Sequence, residues 1–446
     1  MTEILGSIWW MIVTLGLLVT FHEFGHFWVA RRCGVRVLRF SVGFGNALWK
    51  HKAKSGTEFW IATIPLGGYV KMLDAREGEV PEDQKSQEFS SQSVWKRIAI
   101  VIAGPVFNLI FALAAFWLMF TIGKPDFAPV IATPHGLAAE AGFHHGDRIV
   151  GINGKPVATW TGALDQLSGS ILMRQPVEVT VRQQNNQQHS LQLPLNKLPE
   201  NLDMGDALGR IGLALQPPPA RAGQVIPDSP AAAAGMQDGD LILAINGQPV
   251  QGFAQLGKVI GDEAAQDPHL KLRIQRQDNT LTLPVLAHQS RPDDGPQRWT
   301  IGIAAPPAER ATLRYGPLRS ISAALDTTWD KTAMTFRMIG GMLSGETSAR
   351  NLSGVITIAQ VANTSAQMGL AWFLDFLGLI SLSLAILNIL PIPLLDGGHL
   401  LYYLVELVKG SPVSESTMIA GQYVGMALLA ALMGLAFYND ILRLVT

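Results

Sequence analysis

The chain has 446 residues, with 34 Lys and Arg against 35 Asp and Glu, and a formal net charge of -1. Only 15% of residues are charged, against about 25% in typical soluble domains, and the mean hydropathy is +0.22. This balance excludes the basic surface that a nucleic-acid partner requires, and the single cysteine, Cys33, excludes an intramolecular disulfide and a cysteine-cluster metal site.

A spanning helix needs about 20 mostly apolar residues. The first candidate covers 4–30, where the one charged side chain is Glu23. Its leading charge is Glu3 rather than a basic cluster, and no small-residue cleavage site follows, so it reads as a retained span rather than a signal peptide. Inside it stands His22-Glu23-Phe24-Gly25-His26. Positions i and i+4 share one helix face. Two imidazoles so placed can share a Zn²⁺, with Glu23 near enough to take a proton from the attacking water. The plainer reading is a polar cluster that glues helices together. Ionisable groups are costly inside a hydrophobic span, which favours the functional reading.

Residues 31–97 carry twelve Lys and Arg, seven of them before the first acid, Glu58. That bias places the loop on the cytoplasmic side. Within it, Phe40–Trp49 and Phe59–Met72 are β-rich stretches around Gly43-Phe44-Gly45 and Gly67-Gly68-Tyr69, and they read as hairpin strands. A soluble sheet is one form; a hairpin dipping into the membrane requires protein to cover its backbone groups.

The second span, 98–123, contains no charge. The long segment that follows, 124–370, then lies on the opposite side with both termini. It contains a repeat: twelve of the twenty positions of 138–157 recur identically at 231–250, and Ile211-Gly212-Leu213-Ala214 is echoed by Ile301-Gly302-Ile303-Ala304. Each copy reads as a short helix, a Gly-Asp turn, a strand and an Asn-Gly hairpin turn. A period near 90 is too long for a solenoid, so these are two similar domains. They resemble the PDZ domain in permuted order. That resemblance implies late strands at Ile211 and Ile301 bordering grooves for peptide C-termini. Further on, Leu318, Ile321, Leu325, Trp329, Phe336 and Ile339 recur at helical spacing, as a packing helix or a membrane-surface helix.

The third span, 371–395, ends in Asn388-Ile389-Leu390-Pro391-Ile392-Pro393-Leu394-Leu395-Asp396-Gly397. Two histidines need a third ligand, and Asp396 is the best candidate. It closes a span that runs in the same direction as the first, so it reaches the depth of His22 and His26. Pro391 and Pro393 break the helix just before it, leaving irregular backbone that must line a cavity. His399 competes as a ligand but is expected in the following loop, 396–415, which returns to the cytoplasm before the fourth span, 416–439.

HExxH in the first span, N-x-x-P-x-P-x-x-D-G in the third and the doubled PDZ-like unit together resemble the site-2 protease family of intramembrane zinc metalloproteases. The likeness covers almost the whole chain, in the Gram-negative branch with tandem PDZ domains. It implies that His22, His26 and Asp396 hold one zinc ion, and that Glu23 acts as general base and then protonates the leaving amine. It implies that Asn388, Pro391 and Pro393 hold an unwound substrate strand, and that Gly43, Phe44 and Gly45 contact the substrate as an added strand. Ala103 to Asn108 matches a family motif whose small residues permit close helix contact. The implied substrates are single-span membrane proteins, including an anti-sigma factor of envelope stress signalling, after a first periplasmic cut. The implied location is the bacterial inner membrane, with both termini and the PDZ-like domains periplasmic.

The expected architecture is a multi-pass α-helical membrane protein with four transmembrane helices, two inserted α+β PDZ-like domains and a membrane-associated β-hairpin loop. Its parts are 1–123 (two spans, HEFGH and the 31–97 loop), 124–220 and 221–309 (the PDZ-like copies), 310–370 (amphipathic, juxtamembrane) and 371–446 (two spans and the third ligand). Membrane lipid and peptide C-termini are the further partners, with no nucleic acid. The competing function is a membrane-anchored PDZ scaffold with a vestigial metal site; the intact Glu23 counts against it.

Overall fold

The computed structural model describes residues 2–445 except 77, 184, 200–203, 251, 291–296, 307–308, 346–347, 349 and 351. It divides into two compact units, one built from 1–124 with 314–446, the other from 125–199 with 204–313.

The first unit opens with α1 (Thr2–Arg32), whose last turn carries Arg31 and Arg32, the charge sign that a helix C-terminus favours. Two long strands follow, β1 (Val37–Lys52) and β2 (Glu58–Met72). They are not a simple hairpin. Arg39–Val42 is flanked on one side by 68–71 and on the other by 58–61, while Trp49–Lys52 pairs with 58–61 from the far side. Register breaks near Phe44 and Ala47 let each strand fold back on its partner. Gly43 and Gly45 have φ of 93° and 88°, and a Cβ on Gly43 would sit 2.8 Å from the Ile64 carbonyl, so glycine is required there. Phe27, Phe40, Phe59 and Ile100 pack together and fasten this sheet to α1 and to α2 (Val94–Ile122).

β3 (Lys124–Phe127) starts at the last residue of the first unit's opening segment and leads, in the second unit, into the first copy. This comprises α3 (Gly136–Glu140), β4 (Arg148–Ile152), β5 (Lys155–Pro156), α4 (Trp160–Leu172), β6 (Val177–Arg182), β7 (Gln188–Leu193) and α5 (Met204–Ile211). The second copy comprises β8 (Gln224–Val225), α6 (Pro230–Ala233), β9 (Leu241–Ile245), β10 (Gln248–Pro249), α7 (Phe253–Ala264), β11 (His269–Arg276) and β12 (Asn279–Leu286). Short strands β13 (His288–Ser290), β14 (Arg298–Thr300), β15 (Ile303–Ala304) and β16 (Arg310–Leu313) close the unit.

The two four-stranded sheets have the same order, β5-β4-β6-β7 and β10-β9-β11-β12. Both Asn-Gly turns have positive φ at both residues, as a tight hairpin turn requires. In each, the asparagine side chain also accepts from the next strand, Asn153 from the Glu178 N–H and Asn246 from the Lys271 N–H. The expected late strands need correction. Ile211 ends α5, because Gly212 takes a left-handed φ of 74° that stops the helix; the strand-like pairing comes after it, where the Ala132 N–H donates to the Ala214 carbonyl at 2.9 Å and the Gln216 N–H to the Val130 carbonyl at 2.8 Å around the Leu215–Ile131 bridge. Ile301 also precedes its strand, which begins after Gly302 and pairs with β8.

The chain returns to the first unit through α8 (Pro317–Ser344), α9 (Val355–Gln367), α10 (Leu370–Ile389), α11 (Asp396–Lys409) and α12 (Glu415–Val445). Among the described residues, four helices are long and apolar enough to cross a membrane: α1, α2, α10 and α12. Of these, α2 and α10 form the half-buried pair at the centre, whereas α1 and α12 keep most of their apolar surface exposed. Ser381 on α10 donates to the Asn108 carbonyl on α2 at 2.8 Å. α8 joins this frame where Trp117 Nε1 donates to the Pro317 carbonyl at 3.1 Å, yet Leu318, Leu325 and Trp329 remain exposed.

The segment 396–415 is a further correction: its first fourteen residues are α11, not a loop. Pro391 and Pro393 do stop α10, at Ile389. Asp396, however, starts a new helix rather than ending the old one. Gly397 and Gly398 are not breakers here. A Cβ on Gly397 would collide with the Leu390 carbonyl, and one on Gly398 would sit 2.6 Å from the Ile392 carbonyl. Helix α9 carries no local start signal. Its N-terminal N–H groups are satisfied by Asp440 of α12, which accepts from Gly354, Ile356 and Thr357 at 2.9–3.1 Å.

Candidate metal centre

α1 brings His22 and His26 onto the face that meets α2. Gly25, between them, lets the helices close: its missing Cβ would lie 2.5 Å from the Ala103 carbonyl. Gly104 does the same beneath the imidazoles, since a Cβ there would collide with His26 Nε2 and lie 2.7 Å from His22 Cε1. The Nδ1 of His26 lies 2.8 Å from the Ile100 carbonyl. Pro105 removes a rung of the α2 ladder beside that carbonyl.

Asp396 arrives from the first turn of α11, a position that favours an anion. Its approach requires a tight turn in which Leu394 is held at a φ of 87°, a left-handed conformation that costs a leucine about 1–3 kcal/mol. Behind it, a two-pronged contact anchors α11 to the base of α2. Arg97 Nη2 donates to Glu406 Oε1 at 2.6 Å, and Nη1 donates to Oε2 at 3.1 Å.

Three candidate ligand atoms thus form a small triangle. Asp396 Oδ2 lies 3.1 Å from His22 Nε2 and 3.5 Å from His26 Nε2, and the two Nε2 atoms are 3.2 Å apart. Ligands 2.0–2.1 Å from a tetrahedral zinc are separated by about 3.3 Å along each edge. The observed edges fit that value. Asp396 Oδ2 is buried with no hydrogen-bond partner, so the imidazoles are close to it without being aligned as donors. A buried carboxylate oxygen in that condition is costly unless a cation completes it. The residues therefore suit a zinc ion.

Glu23 lies beside the triangle, in electrostatic reach of His26, His22 and Asp396, and its carboxylate meets the backbone N–H of Val70. The folded-back sheet touches it a second time at Gly68, where a Cβ would lie 3.2 Å from Glu23 Cγ. The sheet thus reaches the proposed base through Gly68 and Val70 rather than through Gly43-Phe44-Gly45. Phe44 stacks on Tyr69 at 6.3 Å and is partly exposed. Asn388 is half-buried in the last turn of α10, Pro391 is exposed and Pro393 half-buried in the turn beyond. His399 sits on α11, one turn after Asp396, outside the triangle.

Gly104, Gly68 and Asn108 were not singled out as parts of the site by sequence reasoning. The helical spacing of Gly104 and Asn108, four apart and opposite two histidines also four apart, is the signal that could have found them.

The chain matches the profile of peptidase family M50 over residues 10–432. The chain belongs to peptidase family M50. A zinc metalloprotease described from Xylella fastidiosa (strain Temecula1) is 45% identical over 99% of this chain and all of its own length. The regulator of sigma-E protease RseP of Escherichia coli (strain K12) is 40% identical over 97% of this chain and 98% of its own. A zinc metalloprotease described from Vibrio cholerae is 38% identical over the full length of both. The protein is accordingly a zinc metalloprotease of the site-2 protease family, with zinc as its cofactor.

Proposed function

We propose that this chain is an intramembrane endopeptidase of the bacterial inner membrane that cuts single-span proteins in or near their transmembrane segment. Its substrates are of the anti-sigma factor class, shortened beforehand on the periplasmic side. The observation that carries this reading is the ligand triangle itself, with two of its corners inside a span.

His22, His26 and Asp396 hold zinc in this proposal, and bound zinc supplies Lewis acidity to the water nucleophile and the scissile carbonyl. Glu23 accepts the proton from water and returns it to the leaving amine, a role worth about 10²–10⁴ in rate. A transmembrane helix hides its carbonyls in its own hydrogen bonds, so the substrate must unwind first. Asn388, Pro391 and Pro393 hold the unwound strand, and the sheet around Gly43, Phe44 and Gly45 receives it edge-on. The two repeats of the second unit act as PDZ-like domains that admit shortened substrates and exclude bulky ones. The positive-inside bias supports placing them and both termini in the periplasm, with 31–97 and 396–415 in the cytoplasm. The names of the relatives support a place in sigma-E regulation.

The test is Glu23→Gln in reconstituted vesicles with a pre-cut single-span anti-sigma factor. Cleavage is expected to vanish while zinc remains bound. Cleavage that survives would overturn the mechanism.

A further inference from the structure

A neutral imidazole carries one proton on one of two nitrogens, and only the bare nitrogen can ligate a metal. The non-ligating nitrogen must then donate. For His26 the partner is fixed: Nδ1 faces the Ile100 carbonyl at 2.8 Å, and a carbonyl can only accept. Its proton is therefore on Nδ1, and Nε2 is free for zinc.

For His22 the partner is a side chain. Its Nε2 belongs to the ligand triangle, and its Nδ1 lies 3.1 Å from Nδ2 of Asn108. An amide NH₂ only donates. In that orientation Nδ1 must be bare, so the proton would sit on Nε2 and point into the triangle, where it blocks ligation. Meanwhile Asn108 Oδ1 is buried with no hydrogen-bond partner. The amide oxygen and nitrogen occupy nearly identical positions, and their assignment rests on the surrounding hydrogen bonds. Turning the amide by half a rotation places Oδ1 against the His22 Nδ1 proton and leaves His22 Nε2 bare for zinc, with Nδ2 moved to the buried place that Oδ1 held. Asn108 is fully buried, and its own backbone carbonyl is held by Ser381, so the residue is held between α1 and α10 while its amide plane is free to take either orientation.

We propose that Asn108 is a positioning residue of the metal centre: its side-chain carbonyl accepts the Nδ1 proton of His22 and thereby reserves His22 Nε2 for zinc. The inference rests on the reading of His22 as a ligand given above. The amide suits both states of the ring. It donates to Nδ1 while Nε2 carries the proton, and it accepts from Nδ1 once zinc is bound.

The test uses the full-length protein in lipid nanodiscs with Asn108→Leu, which keeps the volume and removes the acceptor, and Asn108→Asp, which keeps an accepting oxygen. Zinc affinity is measured by chelator competition, and the protonated nitrogen of His22 by ¹⁵N resonance of labelled histidine in the zinc-loaded protein. Asn108→Leu is expected to weaken zinc binding by about 10–100-fold, the usual cost of losing such an outer hydrogen bond. Asn108→Asp is expected to restore it, with the His22 proton on Nδ1 as in the parent. That rescue separates positioning from packing. Wild-type affinity in Asn108→Leu, or equal weakening in both variants, would overturn this inference alone. His22→Ala provides the separate control. If it keeps full zinc affinity, the metal-centre reading itself fails and this inference falls with it.

Discussion

Two carboxylates with buried oxygens in this molecule have opposite surroundings. Asp240, in the second repeat, is 1% exposed and completely partnered: Arg276 donates to it through Nε at 2.8 Å and Nη2 at 2.7 Å, and the Gln237 N–H adds a third bond at 2.9 Å. Asp396, beside the membrane-spanning helices, presents a buried oxygen to two imidazole nitrogens with no aligned donor. The first is a finished structural pair. The second lacks an aligned donor, the condition that suits a bound cation. A buried carboxylate is thus informative about function through its partners, not through its burial.

Asp396→Asn puts the contrast under the largest strain. It should remove several kcal/mol of transition-state stabilisation, a drop of about a thousandfold in proteolysis, together with most of the bound zinc. The metal-free fold should be no less stable, because an orphan charge has been removed. Zinc analysis and thermal unfolding of the chelated protein check both halves.

Gly104→Ala acts on the same site from underneath, through a methyl that collides with His26 Nε2. Zinc affinity should fall by roughly 10–100-fold, a loss of the size seen when ligand orientation is disturbed. Chelator competition measures it. Unchanged affinity would mean that α1 and α2 part easily, contrary to the close fit at Gly25 and Gly104.

Asp240→Asn should leave zinc untouched and destabilise the second repeat by about 2 kcal/mol, since hydrogen bonds to charged groups contribute about 1.5–3 kcal/mol and Arg276 keeps some access to water. The pH response sharpens the point. Burial pushes the Asp240 carboxyl up, but the Arg276 guanidinium and the Gln237 N–H outweigh it, holding it below the ordinary 3.8. The folded state therefore binds fewer protons than the unfolded one near that value. This stability is fully present above about pH 4 and is lost as pH falls through the lowered folded value. Hydrogen exchange over 221–290 between pH 3 and 7 should show that decline in the parent and a flatter profile in Asp240→Asn.

Much of the frame was legible because it rests on local pattern. The spans follow from uncharged length, and the Asn-Gly turns from residues that tolerate positive φ. His22, His26 and Asp396 were brought under suspicion by spacing and by equal depth in two spans of the same direction. What stayed illegible depends on distant partners. Helix α9 begins where Asp440 supplies its cap from more than eighty residues away. Gly397-Gly398 reads locally as a stop, yet the chain needs those glycines to pass under its own carbonyls and start α11. The doubled pairing of Arg39–Val42 requires both strands to bend, and no alternation of polar and apolar residues announces that. The small residues of 103–108 announced close helix contact, but that Gly104 lies under the imidazoles and Asn108 beside His22 depends on where α2 crosses α1.

The two ion pairs at the ends of α2 have a consequence for the bilayer. Arg97 pairs with Glu406 and lies 4.9 Å from the centre of the Tyr403 ring; Lys124 pairs with Asp375 at 2.8 Å and lies 4.4 Å from the centre of the Trp372 ring. Each is a cation, an anion and an aromatic ring, the chemistry suited to a headgroup layer. About 40 Å of helix separates them, close to the full thickness of a membrane with its headgroups. They form a ruler. A bilayer thinner or thicker than this fixed span has to be met by helix tilt or by local deformation of the lipid, at a cost of fractions of a kcal/mol per Å of mismatch.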